Sequence, residues 1–498
     1  MDGDFKGDFT RDTFDPLKAF SRVLMQQGRV QLDADLNEQA DILLRYLHHL
    51  ARDVVGPHGG PADDLGFAID GTSGGDFSIG AGDYYVDGIL VENEPVDEKG
   101  DRIPFPYSYK NQPYTPPPED LASNKTYLAY LDVWERQITF IEDDSIREVA
   151  LNGPDTATRG QVVWQVNVWP FDSDPCTDAT DKRQCWTQKL RKWQQANHGH
   201  LIATTNKNTA GNTDACITPP DARFRRAENQ LYRVEIHRGG LAWESTPAST
   251  TKQKMSTKGS EKRSGGPGTG GSSEGATFKW SRENSSVVFV ISNTGTIQGD
   301  TVKLTLENLG RDGSHLTLEK DDWVEIIVYD DQLRPYIPGP LVQIAEVDRT
   351  NTTVTLSKVP NINLGKLALL RRWDQSEGEE EEPLELVEGA VKVIENTFIT
   401  LEDGIQIQFQ PGDPGNPSAR YRSGDYWLIP ARVAIGDIEW PGEKEGNPKP
   451  LPPHGIVNHY APLAIIAVDT WDNVSLGDEL RYQFKTLVEL SQEIGSPL

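Results

Sequence analysis

Thiol and imidazole groups are the first residues to test for chemistry, and five of them fall in one polar stretch: Cys176, Cys185, His198, His200 and Cys216. A zinc site needs four nitrogen or sulfur ligands at tetrahedral positions, usually delivered by close pairs. This stretch has no C-x-x-C knuckle and no H-x-x-x-H pair, so unrelated surface residues are the better reading and no metal site is expected. His48 and His49 are adjacent on a helical stretch and point to different faces, which does not suit chelation. Asp2, Asp4 and Asp8 open like a calcium loop, but Lys6 and Thr13 stand where its fifth and twelfth ligands belong. Weak calcium binding by other acidic loops stays open. No nucleophile elbow and no phosphate-binding lysine loop is read, and the glycines of 265–271 sit in low complexity rather than between a strand and a helix. Carboxylates are too abundant to single out an acid–base pair. No catalytic residue and no cofactor is expected, and the chain reads as a binding or building protein rather than an enzyme.

Composition narrows the class. The 498 residues carry 76 acidic and 49 basic side chains, a formal net charge of −27. Such a chain is poorly suited to nucleic acid or to an anionic membrane surface, because the phosphate term opposes it. Twelve tryptophans exclude a disordered acidic tail. Three cysteines, an odd number in so long a chain, argue against a disulfide scaffold. No secretory leader is read at the acidic N-terminus, and apolar runs such as 287–291 are too short to cross a bilayer. The expected place of synthesis is the cytoplasm, with export or release as part of something larger left open.

The elements come in two periods. Asp15-Pro16 predicts a short helix to about Gln27, stopped by Gly28. A longer helix follows with Leu36, Ala40, Leu43, Leu47, Leu50 and Val54 at alternating steps of four and three, a heptad seam ended by Gly56-Pro57. Two readings of the seam stand: an amphipathic helix lying on its own domain, or a contact face for another subunit. From about residue 65 the period changes to two. Strands are expected at Phe77–Ile79, Tyr84–Val91 with a turn at Asp87-Gly88, Tyr127–Phe140 and Gln161–Trp169. Six prolines and three tyrosines mark 104–118 as an extended surface loop. The stretch Asp172–Asp221 reads as a long polar excursion with a short helix near Thr187–Gln195. Tyr107, Tyr109, Tyr114, Trp186 and Trp193 form either a sugar- or subunit-binding surface or the pins that hold those loops down.

The rest of the chain follows the same pattern. Residues 245–276 read as a Gly/Ser/Lys linker or loop. Ten-residue strand spacing over about 295–372 predicts a five- or six-stranded barrel. An acidic run, Glu377 and Glu379–Glu382, precedes further strands at Phe398–Phe409 around Asp403-Gly404, at Tyr426–Val433 and at Leu463–Val468. A terminal helix is expected at about Asp478–Ile494. The fold class is therefore mainly β: a helical N-terminal segment (1–60), a β domain with a long polar loop (61–244), the linker (245–276), a small barrel-like domain (277–376) and a C-terminal β region (377–498).

Several strings resemble the signature of an uncharacterised family associated with phage-tail-like contractile injection systems of bacteria. They are Phe5-Lys-Gly-Asp-Phe-Thr-Arg-Asp-Thr-Phe-Asp-Pro, continued by Phe20 to Gln39, then Tyr232-Arg-Val-Glu-Ile-His, Phe278-Lys-Trp-Ser-Arg-Glu-Asn-Ser-Ser-Val, Tyr426-Trp-Leu-Ile-Pro-Ala-Arg and His454-Gly-Ile-Val-Asn-His-Tyr-Ala-Pro-Leu. Leu36 stands where that family usually reads Trp in Asp-Trp-Asn-Glu. The resemblance implies a structural subunit at the baseplate periphery, as a cage or fibre adaptor. It implies partners among baseplate, sheath or fibre proteins and copies of the chain itself, without nucleic acid or membrane insertion. The alternatives are a receptor- or glycan-binding tail fibre and, further off, a particle-borne envelope hydrolase. On the first reading Leu36, Ala40, Leu43, Leu47, Leu50 and Val54 carry attachment, and no catalytic or metal-ligating residue is carried over.

Overall fold

A computed structural model describes residues 3–114, 118–194, 199–205, 224, 226–243, 275–310, 316–328, 333, 337–360, 368–376, 378–379, 382–412, 420–444, 446–486 and 489–490. The chain is mainly β. It forms two compact units that interleave in sequence: Met1–Gly3 with Thr13–Gln195 and Ile456–Leu498, and Asp4–Asp12 with Ala196–Gly455.

In the first unit, α1 spans Asp33–Val55, with Asp33 and Asp35 in the first turn and Arg52 in the last, the signs that suit the helix dipole. Gly56 ends it at φ +98 and ψ −165, a conformation open to glycine. The strands His58–Pro61, Gly82–Val86 and Ile89–Asn93 follow, the last two joined at Asp87-Gly88. Gly88 has φ +91, and a Cβ there would sit 2.0 Å from the His48 carbonyl oxygen. Only glycine lets the hairpin tip press against α1. A four-stranded sheet pairs Lys125–Ile138 with Arg159–Phe171 over nearly their whole length and with His459–Val468 on the other side. Residues from 61–244 and from 377–498 thus share one sheet. Its core gathers Phe67, Phe77, Tyr84, Leu131, Trp164 and Ile466.

A second α-helix, α2, covers Lys182–Gln194 and buries Trp186 and Leu190 beneath the same sheet. Cys176 and Cys185 are joined by a disulfide that ties the approach to α2 onto its first turn. The odd cysteine count did not exclude this single bridge.

The second unit holds a six-stranded sheet with Gln230–Arg238 and Thr277–Ser281 at its centre. Beside it lies a closed barrel of six strands from Val288–Gln298 to Ala368–Trp373, close to the expected limits. The Phe398–Thr400 and Ile405–Gln410 hairpin turns at Asp403 and Gly404, both at positive φ.

Two expectations need correction. Only Pro16–Lys18 is helical in the first segment, because Ala19 turns left-handed and the chain then runs without helix or strand to α1. The stretch Asp478–Phe484 is not helix. Val474–Glu479 pairs with His459–Val468, and Gln483–Phe484 pairs in parallel with His58–Pro61. Most of 485–494, all of 245–274 and parts of the acidic run lie outside the described residues.

Candidate docking face

The six seam residues all lie on the outer surface of α1. Leu36, Leu43, Leu47, Leu50 and Val54 are exposed, from 53% at Leu43 to 75% at Val54, and Ala40 is exposed with them. The helix rests on its unit through the opposite face, where Ala34 and Ile42 are buried and Glu38, Asp41, Arg45 and His48 are half-buried. At about 100° per residue the two faces are nearly opposed. The extended segment after Thr13 covers the flank. Thr13 donates to the Glu38 carboxylate at 2.6 Å, and the Val23 amide donates to Gln39 Oε1 at 2.9 Å. Between Leu17 and Val54 stand 13 of the 29 exposed large apolar side chains among the described residues. Single exposed apolar residues are ordinary; so dense a group is the mark of a contact surface. Full burial of one such leucine favours association by roughly 1.5–3 kcal/mol.

Sequence reasoning found the seam through its spacing. It missed Leu17, Leu24 and Met25, whose segment is read as a helix, Val30 just beyond Gly28, and Leu44 and Tyr46, which widen the stripe on either side.

Two buried polar clusters lie elsewhere among the described residues. Four of the strings that carry the family resemblance meet in the second unit around Arg233, which is fully buried. Its guanidinium donates to Asp4 at 2.5 Å, to Glu235 at 2.6 Å, and to the Phe5 carbonyl and Asn284 side chain, and it stacks 3.5 Å over the Tyr426 ring. Lys279 bridges Glu235 and Glu325, and Lys6 pairs with Asp4 and Glu235. Burial would raise the Glu235 carboxyl, yet Lys6, Lys279 and Arg233 hold it well below the usual carboxylate range. With Arg233, Lys279 and Lys6 paired to carboxylates, this network holds the N-terminal residues in place.

His58 is the other buried polar centre. Its Nδ1 lies 2.8 Å from Tyr84 Oη and its Nε2 lies 2.8 Å from Thr187 Oγ1. Thr187 donates onward to the Arg183 carbonyl, and Tyr84 Oη accepts from the Tyr482 amide. One proton order satisfies all five groups: the Nε2–H tautomer donates to Thr187 and Nδ1 accepts from Tyr84. Burial pushes the imidazole down to about 4.

The residues considered for metal or nucleophilic chemistry are placed otherwise. Cys176 and Cys185 are bonded to each other, Asp4 is held by Lys6 and Arg233, and His198 and Cys216 lie outside the described residues. Among the described residues no group of three or more His, Cys, Asp or Glu is placed to hold a metal ion. The G-x-S-x-G spacing does occur, against the sequence reading, at Gly71–Gly75 and Gly271–Gly275. The first is the turn between the paired strands Ile69–Gly71 and Phe77–Ile79, without the following helix that a nucleophile elbow requires. The second lies largely outside the described residues.

The five loop aromatics pin their loops. Tyr109 stacks on Phe77 with centroids 5.1 Å apart, Tyr107 and Tyr114 meet the edge of Trp164, Trp193 packs against Tyr130, and Trp186 is buried. Among the described residues no helix is long and apolar enough to cross a membrane.

A family model described as a family of unknown function, DUF6519, matches residues 5–182 and 173–471, and the chain belongs to that family. No curated protein and no solved structure matches the chain.

Proposed function

We propose that this chain is a structural subunit of a contractile injection particle, sited at the baseplate periphery as a cage or fibre adaptor. In this reading it is held there through the outward face of α1. The observation that carries the reading is the inversion of α1: a helix with a heptad of apolar side chains gives its own unit the mixed polar face and turns the apolar one away. Burial of that face in a partner is the physical use for such an arrangement. The assignment to a contractile particle rests on the resemblance of the N-terminal and internal strings. The ion pairs that Arg233 and Lys279 make with Asp4, Glu235 and Glu325 support a building role over a catalytic one. Multiple copies on one particle would add avidity, so each contact can be modest.

The test is to purify particles from producing cells and probe them for the full chain and for a variant lacking residues 13–56. The reading expects the full chain in the particle fraction and the shortened chain only in the soluble fraction, with its β units folded. Retention of the shortened chain would remove the attachment role.

A further inference from the structure

We propose that the outward face of α1 docks on α1 of a second copy of this chain, in parallel. The inference rests on the attachment reading for its surface but adds the identity of the occupant. Three observations converge on it.

First, the stripe has the period of another helix. Leu36, Leu43 and Leu50 recur every seven residues, with Ala40, Leu47 and Val54 between them. On a straight helix a seven-residue stripe drifts by about 20° per repeat, and it stays in contact only with a partner helix that coils with it.

Second, the helix available to meet it is α1 itself. Among the described residues the other α-helix is α2, and its apolar side chains Trp186 and Leu190 are already buried.

Third, the flanks permit self-pairing in a chain of net charge −27. One flank carries Gln39, Tyr46 and Asp53, the other Asn37, Leu44 and Ala51. In parallel register Gln39 meets Leu44 of the other copy and Tyr46 meets its Ala51, so these flank pairs bring no like charges together; Asp33, seven residues before Ala40, is exposed at the first residue of the helix, where it meets its own copy in solvent. Asp53 would face a position beyond the helix end at Gly56. Glu38, Asp41 and Arg45 are half-buried on the side of α1 that faces its own unit.

Sedimentation velocity of the full chain at micromolar concentration reads the association. The wild type is expected as a multiple of 55.3 kDa. The Leu43→Asp/Leu47→Asp variant should sediment as a 55.3 kDa monomer with an unchanged circular dichroism spectrum. In a Cys216→Ser background, Leu36→Cys and Leu50→Cys should each cross-link to its own kind on oxidation, which a folding defect in the aspartate variant cannot imitate. A monomeric wild type overturns the proposal. So does cross-linking that occurs only when the two cysteine variants are mixed, the sign of an antiparallel pair. Particle retention separates the two claims. A monomeric wild type that is nevertheless particle-bound, with the aspartate variant lost, keeps the attachment and removes self-pairing. A self-associating wild type absent from particles does the reverse.

Discussion

Ile42 and Leu43 are neighbours in the chain, yet Ile42 is 2% exposed and Leu43 is 53% exposed. The step of about 100° between them takes the helix from the face that holds it to the face it offers. The two residues should therefore answer substitution differently. Ile42→Ala should cost about 2–4 kcal/mol of stability by opening a cavity under α1. Leu43→Ala should change stability by no more than about 0.5 kcal/mol. Denaturant unfolding of the purified chain, with hydrogen exchange of α1 to localise the effect, measures both.

His58 sets an acid limit on the first unit. Its folded pKa of about 4 is below the ordinary 6.5, so the native state binds fewer protons than the unfolded chain between those values. Its contribution is complete above pH 6.5 and is lost as pH falls through 4, with an upper size of about 3 kcal/mol. Unfolding midpoints measured from pH 7 to 4 should fall for the wild type. The fall should be shallower for His58→Gln, which is less stable at neutral pH but has no imidazole to charge.

Asp132 runs the other way. It is buried in the strand Lys125–Ile138, and burial pushes its carboxyl up to about 7, while the hydrogen bond from Asn458 Nδ2 at 2.8 Å and the nearby His459 work against the rise. A folded pKa above the unfolded 3.8 means stability that is present at low pH and lost as pH rises through 7. Asp132→Asn keeps the shape and an acceptor for Asn458. It should raise stability at pH 8 by a few kcal/mol and leave pH 4 little changed, as read by thermal unfolding at the two pH values.

The N-terminal string has a structural task in the second unit. Asp4 and the Phe5 carbonyl fill two directions of the buried Arg233 guanidinium, and Lys6 adds a cation beside Glu235. Removing residues 1–8 would leave Arg233 short of acceptors, and one-sided loss of such a partner costs about 3–5 kcal/mol. The shortened chain should show an earlier unfolding transition by calorimetry. Adding Arg233→Met should recover part of the loss, because an apolar side chain needs no acceptor there.

How much of this was legible follows from spacing. The strands Gly82–Val86 and Ile405–Gln410 alternate buried and half-buried residues without a break, and a period of two shows that directly. The terminal stretch misled because Leu480 and Phe484 are four apart, which puts them on one face of a helix and equally on one face of a strand. Parallel pairing with His58–Pro61 decides for the strand. The seam of α1 was visible, but its direction was not. That depends on Ala34 and Ile42, a narrow apolar pair amid charges, finding a bed against the turn at Gly88 and the segment after Thr13. The His58 network joins residues as far apart as Tyr84 and Thr187, and the Arg233 network joins Asp4 to Tyr426. Neither has a local pattern that a chain read in order would display.

Hydroxyl-radical footprinting of Leu43, Tyr46, Leu47 and Leu50, in assembled particles and in the chain released from them, examines the outward face most directly. Strong oxidation of these four side chains in the free chain and protection in the particle is the result expected of a docking face. Equal oxidation in both states would contradict it.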